Sequence, residues 1–367
     1  MPLHDLCDYR PFAEKAIAGE ALTREEARSV LETPDERVLE LLSAAFVVRQ
    51  RFFGRKVRLQ MLQNAKSGAC QEDCGYCSQS KISTANIAHY GLLSKDEMVQ
   101  GAQRAAASKA IRYCIVISGR GPLDREISTI SEAVRQIKDT IPIQVCCSLG
   151  LLTESDARRL REAGVDRINH NLNSSERYHP EIVTTHTYQD RLATIRNARA
   201  AGLEICSGGI AGMGETDEDL IDLALALREV APHSIPMNFL HPVEGTPMEN
   251  RHELTPQRCL KVLCLFRFLH PRTELRVAGG REFNLRSLQP LALYAADSLF
   301  VGGYLTTPGM PAQEAWKMIG DLGFEVDLGQ GGCVLADAGL GKREAVSAAS
   351  GAGGCNSGCN RGKAAAS

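Results

Sequence analysis

Long apolar runs, an excess of charge of either sign and a basic-then-apolar start are all missing from this sequence of 367 residues. No stretch approaches the roughly 20 apolar residues that a membrane helix needs, and the first residues do not resemble a signal peptide. The net charge of −2 gives no electrostatic reason to expect nucleic acid or an anionic membrane as a partner. We therefore expect a cytoplasmic globular protein.

Cysteine, in contrast, is abundant, with 13 residues. A chain of this length with 44% apolar residues does not need disulfides to fold, and the cytosol keeps thiols reduced. The cysteines are then interpreted as metal ligands or as small buried apolar side chains.

The length allows either two average domains or one α/β barrel of about 250 residues with extensions. From Lys56 onward, short apolar segments alternate with amphipathic helical patterns, which predicts a parallel sheet. Eight repeats favour a closed (β/α)8 TIM-type barrel over an open doubly wound sheet. The predicted strands are Val57–Gln63, Arg112–Ser118, Ile143–Leu149, Asp166–Leu172, Leu203–Ile210, Ser234–Leu240, Glu274–Ala278 and Ser298–Val301.

Helical patterns separate these strands. They cover Lys95–Ser108, Asp124–Asp139, Glu154–Ala163, Tyr188–Ala201, Asp217–Val230, Pro256–Leu269, Leu285–Ala296 and Ala312–Leu322. We accordingly divide the chain into a helical extension (1–55), the barrel (56–328) and a tail (329–367). In the extension, Thr23 followed by acidic residues predicts a capped helix.

The tail is rich in Gly, Ala and Ser, a composition typical of a flexible segment. It carries Cys333, Cys355 and Cys359, and a metal site at Cys355-x3-Cys359 is the alternative interpretation. The sequence assigns no role to these three thiols.

The loop after the first predicted strand contains three cysteines within eight residues. Cys70, Cys74 and Cys77 are spaced C-x3-C-x2-C, and Tyr76 precedes the last of them. Such a loop is suited to three irons of a cubane cluster, with one iron left open to a ligand other than protein. A zinc loop is the alternative, but zinc sites favour paired C-x2-C units and a fourth ligand at set spacing.

Three further thiols and one arginine lie inside predicted strands. They are Cys114 in the second strand, Cys146 in the third, Cys206 in the fifth and Arg276 in the seventh. Taken singly, each cysteine is more typical of a small buried apolar residue. An arginine among apolar strand residues is harder to dismiss, because a buried charge is costly without partners. Together they suggest a second metal site in the barrel lumen.

The C-x3-C-x-aromatic-C loop resembles the signature of the radical S-adenosylmethionine (SAM) enzymes. That resemblance implies a [4Fe-4S] cluster on Cys70, Cys74 and Cys77 whose open iron is chelated by SAM, with Tyr76 near the adenine. The motif does not identify the substrate.

The strand cysteines, Arg276, the segment Asn169–Asn173 and the segment Tyr304–Pro308 together resemble the biotin synthase family, over about Val38 to Leu328. The resemblance implies conversion of dethiobiotin to biotin, with a [2Fe-2S] cluster as sulfur donor held by Cys114, Cys146, Cys206 and Arg276. Arg276 either ligates iron or balances charge. Neighbouring Cys147 points to the opposite face of its strand, and the family's Cys-x-x-Leu-Gly favours Cys146.

The same resemblance assigns the remaining site residues. SAM would be held by Tyr76, Gly119, Asn171, Asn173, Arg191 and Ile210. Dethiobiotin would be held by Asn171, Asn238, Thr306 and Thr307. Many family members have Asp where this chain has Asn173, so this chain would present a neutral amide to the ribose at that position. For the asparagines a capped turn is the alternative, and for Arg191 a solvated helix charge.

The resemblance also implies a homodimer and an electron donor protein of the flavodoxin or ferredoxin type. Two alternatives stay open. One is another radical SAM enzyme of the same barrel family that acts on a different small molecule. The other is a ferredoxin-like electron carrier or a structural zinc protein, which has no use for a SAM pocket.

Overall fold

Helices precede the sheet in the computed structural model, which describes residues 9–329 and the backbone of Cys333–Leu335. They are α1 (Arg10–Ala18), α2 (Arg24–Leu31) and α3 (Val38–Phe53), with a short 3-10 turn at Asp35–Arg37. The predicted cap at Thr23 is present. Its Oγ1 accepts from the amide of Glu26 at 3.2 Å, and the Glu26 carboxylate accepts from the Thr23 amide at 2.8 Å.

The sheet closes into a barrel of parallel strands, which confirms the predicted fold class. The strands are β1 (Lys56–Lys66), β2 (Arg112–Ile117), β3 (Gln144–Ser148), β4 (Arg167–Asn169), β5 (Glu204–Cys206), β6 (Gly209–Ala211), β7 (Ser234–Phe239), β8 (Glu274–Val277) and β9 (Ser298–Phe300). Closure comes from parallel pairing of β1 with β9, with Arg58 opposite Ser298 and Gln60 opposite Phe300.

The fifth predicted strand, Leu203–Ile210, is divided between β5 and β6, which both pair with β7. The interruption at Ser207 and Gly208 follows from close packing. A Cβ on Gly208 would lie 2.0 Å from the carbonyl oxygen of Pro236, so the backbones approach more closely there than a side chain allows.

Helices surround the barrel between successive strands. They are α4 (Lys95–Ala107), α5 (Asp124–Thr140), α6 (Glu154–Glu162), α7 (His179–Ile182), α8 (Tyr188–Ala200), α9 (Asp217–Val230), α10 (Pro256–Leu269), α11 (Arg281–Leu285), α12 (Gln289–Ala292) and α13 (Ala312–Asp321). The continuous helix predicted for Leu285–Ala296 is wrong. Arg286 has a left-handed φ of 52° and follows the end of α11, while Pro290, which lacks an amide hydrogen, stands in the first turn of the new helix α12.

Two short strands beyond the barrel were not predicted. β10 (Glu325–Asp327) pairs in parallel with the start of β1, and β11 (Cys333–Leu335) runs antiparallel to β10. Of the tail cysteines, Cys333 is described by its backbone alone. Cys355 and Cys359, and most of the predicted flexible tail, lie outside the described residues.

Alternation along the strands separates an apolar outer face from a polar lumen. In β8, Leu275 and Val277 belong to the core between the barrel and its helices. Glu274 and Arg276 instead contact side chains of other strands across the lumen. Because successive side chains of a strand point to opposite faces, the alternation places every second residue in the barrel interior.

The outer face of β1 provides a test of barrel packing. Leu59 is fully buried in the core, so Leu59→Ala should lower the free energy of unfolding by about 2–5 kcal/mol. Leu39 on α3 is 65% exposed, and Leu39→Ala should change stability by no more than about 0.5 kcal/mol. Urea unfolding followed by circular dichroism measures both variants. Equal midpoint shifts for the two would contradict the described packing of β1.

Candidate active site

A cavity of about 310 Å³ opens at the carboxyl ends of the barrel strands. The loop after β1 lies at its rim and contributes Cys70, Cys74 and Cys77 to the lining. Cys114 and Cys146 line it from the strands, together with Arg276. In (β/α)8 barrels this end of the strands is where active sites lie, and here one cavity joins both sets of thiols.

The rim loop owes its shape to local backbone geometry. Gly68 and Ala69 have φ values of 75° and 49°, which turn the chain out of β1. The amide of Cys77 then donates to the carbonyl oxygen of Cys74 at 3.1 Å, which closes a tight turn between the two ligand candidates. Ser118 Oγ donates to the carbonyl oxygen of Gly68 at 2.6 Å and ties the loop to the end of β2.

Two acidic residues inside the cysteine motif fix the loop to the segment before α8. The Asp73 carboxylate accepts from the amides of Thr184 at 2.9 Å and Thr185 at 3.2 Å. Glu72, which is 6% exposed, accepts from Arg120 at 3.0 Å and also contacts the Thr185 hydroxyl and the His186 ring. These contacts give the spacer residues of the motif a structural function.

The rim thiols are suited to an iron–sulfur cluster. Burial raises the pKa of Cys77 to about 12 and also raises that of Cys74, so both remain protonated near neutral pH unless a metal replaces the proton. In the residues that the structure describes, no group of three or more His, Cys, Asp or Glu side chains is arranged to hold a single metal ion. A cluster is wider than one ion, because its thiolates bind different iron atoms.

The strand thiols Cys114, Cys146 and Cys206 lie together inside the barrel. We call this group and its surroundings the floor. Cys114 and Cys146 are directly paired across β2 and β3, and a hydrogen bond joins their side chains. Cys206 is paired with Asn169, whose amide nitrogen lies 3.2 Å from the Cys206 sulfur. Cys147, next in sequence to Cys146, faces outward and belongs to the apolar core. The structure therefore brings the three predicted thiols together and separates Cys147 from them.

Buried guanidinium groups surround these thiols and favour negative charge there. The hydrogen bond from Cys114 lowers the pKa of Cys146 against the effect of burial, and the charges of Arg112 and Arg167 lower it further. Among the described residues, Nε of buried Arg112 has no hydrogen-bond partner. Three thiolates and an anionic cluster would offset this positive charge, so the donor set and its surroundings fit the [2Fe-2S] group.

Arg276 reaches the thiol set directly. Its Nη1 lies 3.5 Å from the sulfur of Cys206, while Nη2 donates to Glu274 at 2.7 Å and Nε to Ser298 at 3.3 Å. The side chain is 2% exposed. This position is compatible with a ligand and with a counter-ion, the two roles that the sequence left open.

The predicted SAM-binding groups lie between rim and floor. Asn173 Nδ2 donates to the Tyr76 hydroxyl at 2.5 Å, which connects the segment after β4 to the cysteine loop. Asn171 Oδ1 accepts from the amide of Gly208 at 3.1 Å. Arg191 is buried rather than solvated, and its Nη1 donates to the carbonyl oxygen of Asn171 at 2.9 Å. All four side chains line the cavity.

The remaining predicted contacts also line the cavity: Gly119, Ile210, Asn238, Thr306 and Thr307. The amide of Asn238 is already engaged, with Nδ2 donating to the Gly209 carbonyl at 3.0 Å and Oδ1 accepting from the Gly279 amide at 2.9 Å. The Thr306 hydroxyl lies 2.9 Å from Ser78 Oγ, next to Cys77 in the rim loop. Thr307 Oγ1 donates to the carbonyl oxygen of Tyr304 at 2.8 Å.

Sequence reasoning missed the residues that support both thiol sets. Glu72 and Asp73 lie inside the cysteine motif, but the motif does not indicate a role for them. On the floor, Arg112 and Glu274 were overlooked, although each precedes a predicted ligand by two positions and so shares its strand face. These two floor residues could have been recognised, because each is a charged residue two positions before a buried thiol or arginine.

The fold and the two thiol sets define a radical SAM enzyme. Residues 65–227 match the Radical SAM superfamily, and residues 236–325 match the Biotin and Thiamin Synthesis associated domain. Among solved structures, methylornithine synthase has a TM-score of 0.74 at 19% identity and covers 85% of this chain and 96% of its own. The FeFe-hydrogenase maturase HydG from Carboxydothermus hydrogenoformans has the same score and identity, with 87% and 79% covered. At such low identity these neighbours support the fold alone.

Sequence relatives narrow the class. Biotin synthase of Bacillus subtilis (strain 168) is 53% identical over 316 residues, which is 86% of this chain and 94% of the relative. Biotin synthase of Geobacillus kaustophilus is 50% identical over 323 residues, or 88% and 97% of the two chains. The chain belongs to the biotin synthase family.

The adjacent thiols of β3 allow a matched test of the floor site. Cys146→Ala should abolish the visible absorbance of the [2Fe-2S] cluster and leave that of the [4Fe-4S] cluster, because one thiolate ligand is lost. Cys147→Ala should retain both absorbances, since its side chain packs in the apolar core. Spectra of the two anaerobically reconstituted variants decide the matter, and loss of the second cluster in Cys147→Ala alone would reject the assignment.

Proposed function

We propose that this protein converts dethiobiotin to biotin by sulfur insertion in the lumen of its barrel. The observation that carries the proposal is the shared cavity, which has Cys70, Cys74 and Cys77 at its rim and Cys114, Cys146 and Arg276 in its lining. A molecule in that cavity touches both sites. Neither an electron carrier nor a structural zinc protein needs such a cavity.

Each thiol set would hold one inorganic group. Cys70, Cys74 and Cys77 would hold the [4Fe-4S] cluster, and the three floor cysteines with Arg276 would hold the [2Fe-2S] cluster. When bound with SAM, these groups supply a 5′-deoxyadenosyl radical and the sulfur atom. The protein supplies binding, orientation and exclusion of water.

The residues around the cavity would bind SAM through its separate parts. Tyr76 and Ile210 offer apolar surface for the adenine, and Asn173 offers an amide for the ribose. Arg191 carries a buried positive charge suited to the SAM carboxylate, and its bond to the Asn171 carbonyl fixes its direction. Backbone oxygen near Gly119 would accept from the SAM ammonium.

Dethiobiotin would lie between SAM and the floor. Asn171 presents donor and acceptor groups to the ureido ring, while Thr306 and Thr307 close the cavity from the loop after β9. Because the side-chain amide of Asn238 is bonded to the backbone of β6 and of the turn after β8, we assign this residue to shaping the pocket as much as to contacting substrate.

Further features of the system follow from the same function. We propose that residues 56–328 form the catalytic unit, that the protein works in the cytoplasm as a homodimer, and that a flavodoxin or ferredoxin type protein delivers electrons. No helix among the described residues is long and apolar enough to span a bilayer.

The activity is tested anaerobically. The protein is reconstituted with iron and sulfide and given SAM, dethiobiotin and a reductant, and products are separated by chromatography. We expect biotin together with 5′-deoxyadenosine, and no biotin from Cys206→Ala, since the floor thiolate is missing. Deoxyadenosine without biotin from the parent protein would point to a radical SAM enzyme with another substrate and overturn the proposal.

A further inference from the structure

Below the floor thiols, a buried carboxylate lies within hydrogen-bond distance of three guanidinium groups and forms an ion pair with a fourth. Glu274 is 3% exposed, and its oxygens lie 2.7 Å from Arg276 Nη2, 3.4 Å from Arg112 Nη1 and 3.5 Å from Arg167 Nη1. Gln60 Nε2 also donates to this carboxylate. Arg58 Nη1 lies 3.8 Å from the same carboxylate. The six side chains come from four strands, β1, β2, β4 and β8, so Glu274 connects opposite sides of the barrel.

Of the contacts that Arg276 makes, the one to Glu274 is the shortest. Its other contacts, to Ser298, Ser234 and Cys206, measure 3.3, 3.4 and 3.5 Å. A hydrogen bond between two charged groups is about twice as strong as one between neutral groups. Because the guanidinium is planar and rigid, holding Nη2 at Glu274 also fixes the direction in which Nη1 points, toward Cys206.

The carboxylate also separates like charges. The guanidinium groups of Arg112, Arg167 and Arg276 all approach this one carboxylate, and their like charges repel one another. Without the carboxylate, that repulsion would push Arg276 from its place.

We propose that Glu274 is a positioning residue that keeps the guanidinium of Arg276 directed at Cys206 and thereby stabilises the [2Fe-2S] cluster on the barrel floor. The inference rests on the proposed function, because it requires that cluster at Cys114, Cys146 and Cys206. Glu274 is not among the residues that line the cavity.

The test is Glu274→Gln, which keeps the size of the side chain and removes its charge. After anaerobic reconstitution, the decay of the [2Fe-2S] absorbance in the presence of an iron chelator is followed. We expect decay roughly 10–100-fold faster than in the parent, which is typical when a group that orients a metal ligand is lost. The absorbance of the [4Fe-4S] cluster should be unchanged.

Asp219→Asn is the matched control. Asp219 is also buried, at 1% exposure, and its carboxylate contacts Ser175 at 2.6 Å and Arg177. It lies at the start of α9 rather than in the charged layer of the floor. Its loss should leave the decay of the [2Fe-2S] absorbance at the parent rate.

A double-mutant cycle with Arg276→Ala separates positioning from general support of the barrel. If Glu274 acts through Arg276, adding Glu274→Gln to Arg276→Ala should not accelerate decay further. A parent rate in Glu274→Gln, or an equal acceleration in the Arg276→Ala background, would overturn the inference. Should Glu274→Gln fail to fold by circular dichroism, Glu274→Gln with Arg112→Gln keeps the floor charge balanced, and the same acceleration is expected.

The parent protein distinguishes this inference from the proposed function. A parent that assembles no [2Fe-2S] cluster overturns both. A parent that assembles the cluster and makes biotin, while Glu274→Gln retains the cluster as well as the parent does, overturns the inference alone.

Discussion

The charge buried on the barrel floor is the constraint on which the rest of the structure depends. Arg112, Arg167 and Arg276 are each at most 5% exposed, and an uncompensated charge in a protein interior costs several kcal/mol. Glu274 and Glu204 compensate part of it. The remaining positive charge favours the binding of an anionic group beside the three thiols. The floor thus explains why this barrel is not filled with apolar side chains throughout.

At the rim, the structure must instead hold the cysteine loop in a precise position. A segment with three cysteines and two residues in the left-handed region has little structure of its own. Asp73 and Glu72 bind it to Thr184, Thr185 and His186, more than 100 residues away in sequence. Because α8 begins just after that segment, the same contacts relate the loop to Arg191 and hence to the predicted SAM site.

Much of the architecture could be predicted because period-two and helical patterns are local properties of sequence. The eight barrel strands were found, and α9 and α10 have the predicted ends. The helix predicted for Leu285–Ala296 failed because a left-handed φ at Arg286 depends on packing around it. Strand β10, which pairs with the start of β1, was not predicted. It is only three residues long and two of them are acidic, so its sequence has no recognisable strand pattern.

The candidate site shows the same division. The thiols and Arg276 were recognisable from residue type and resemblance, and strand parity separated Cys146 from Cys147. The contacts of Glu274 with Arg112 and Arg167 join residues that are 162 and 107 positions apart. Which charged side chains meet across a lumen depends on barrel closure and strand register, and one sequence does not reveal that register.

We infer that two iron–sulfur groups face one cavity at the carboxyl ends of the barrel strands. Anomalous diffraction at the iron edge, from crystals grown anaerobically with SAM and dethiobiotin, tests this most directly. We expect two iron peaks, one bounded by Cys70, Cys74 and Cys77 and the other by Cys114, Cys146 and Cys206, with both organic molecules between them. A single peak at the rim, with an iron-free floor in protein that makes biotin, would contradict it.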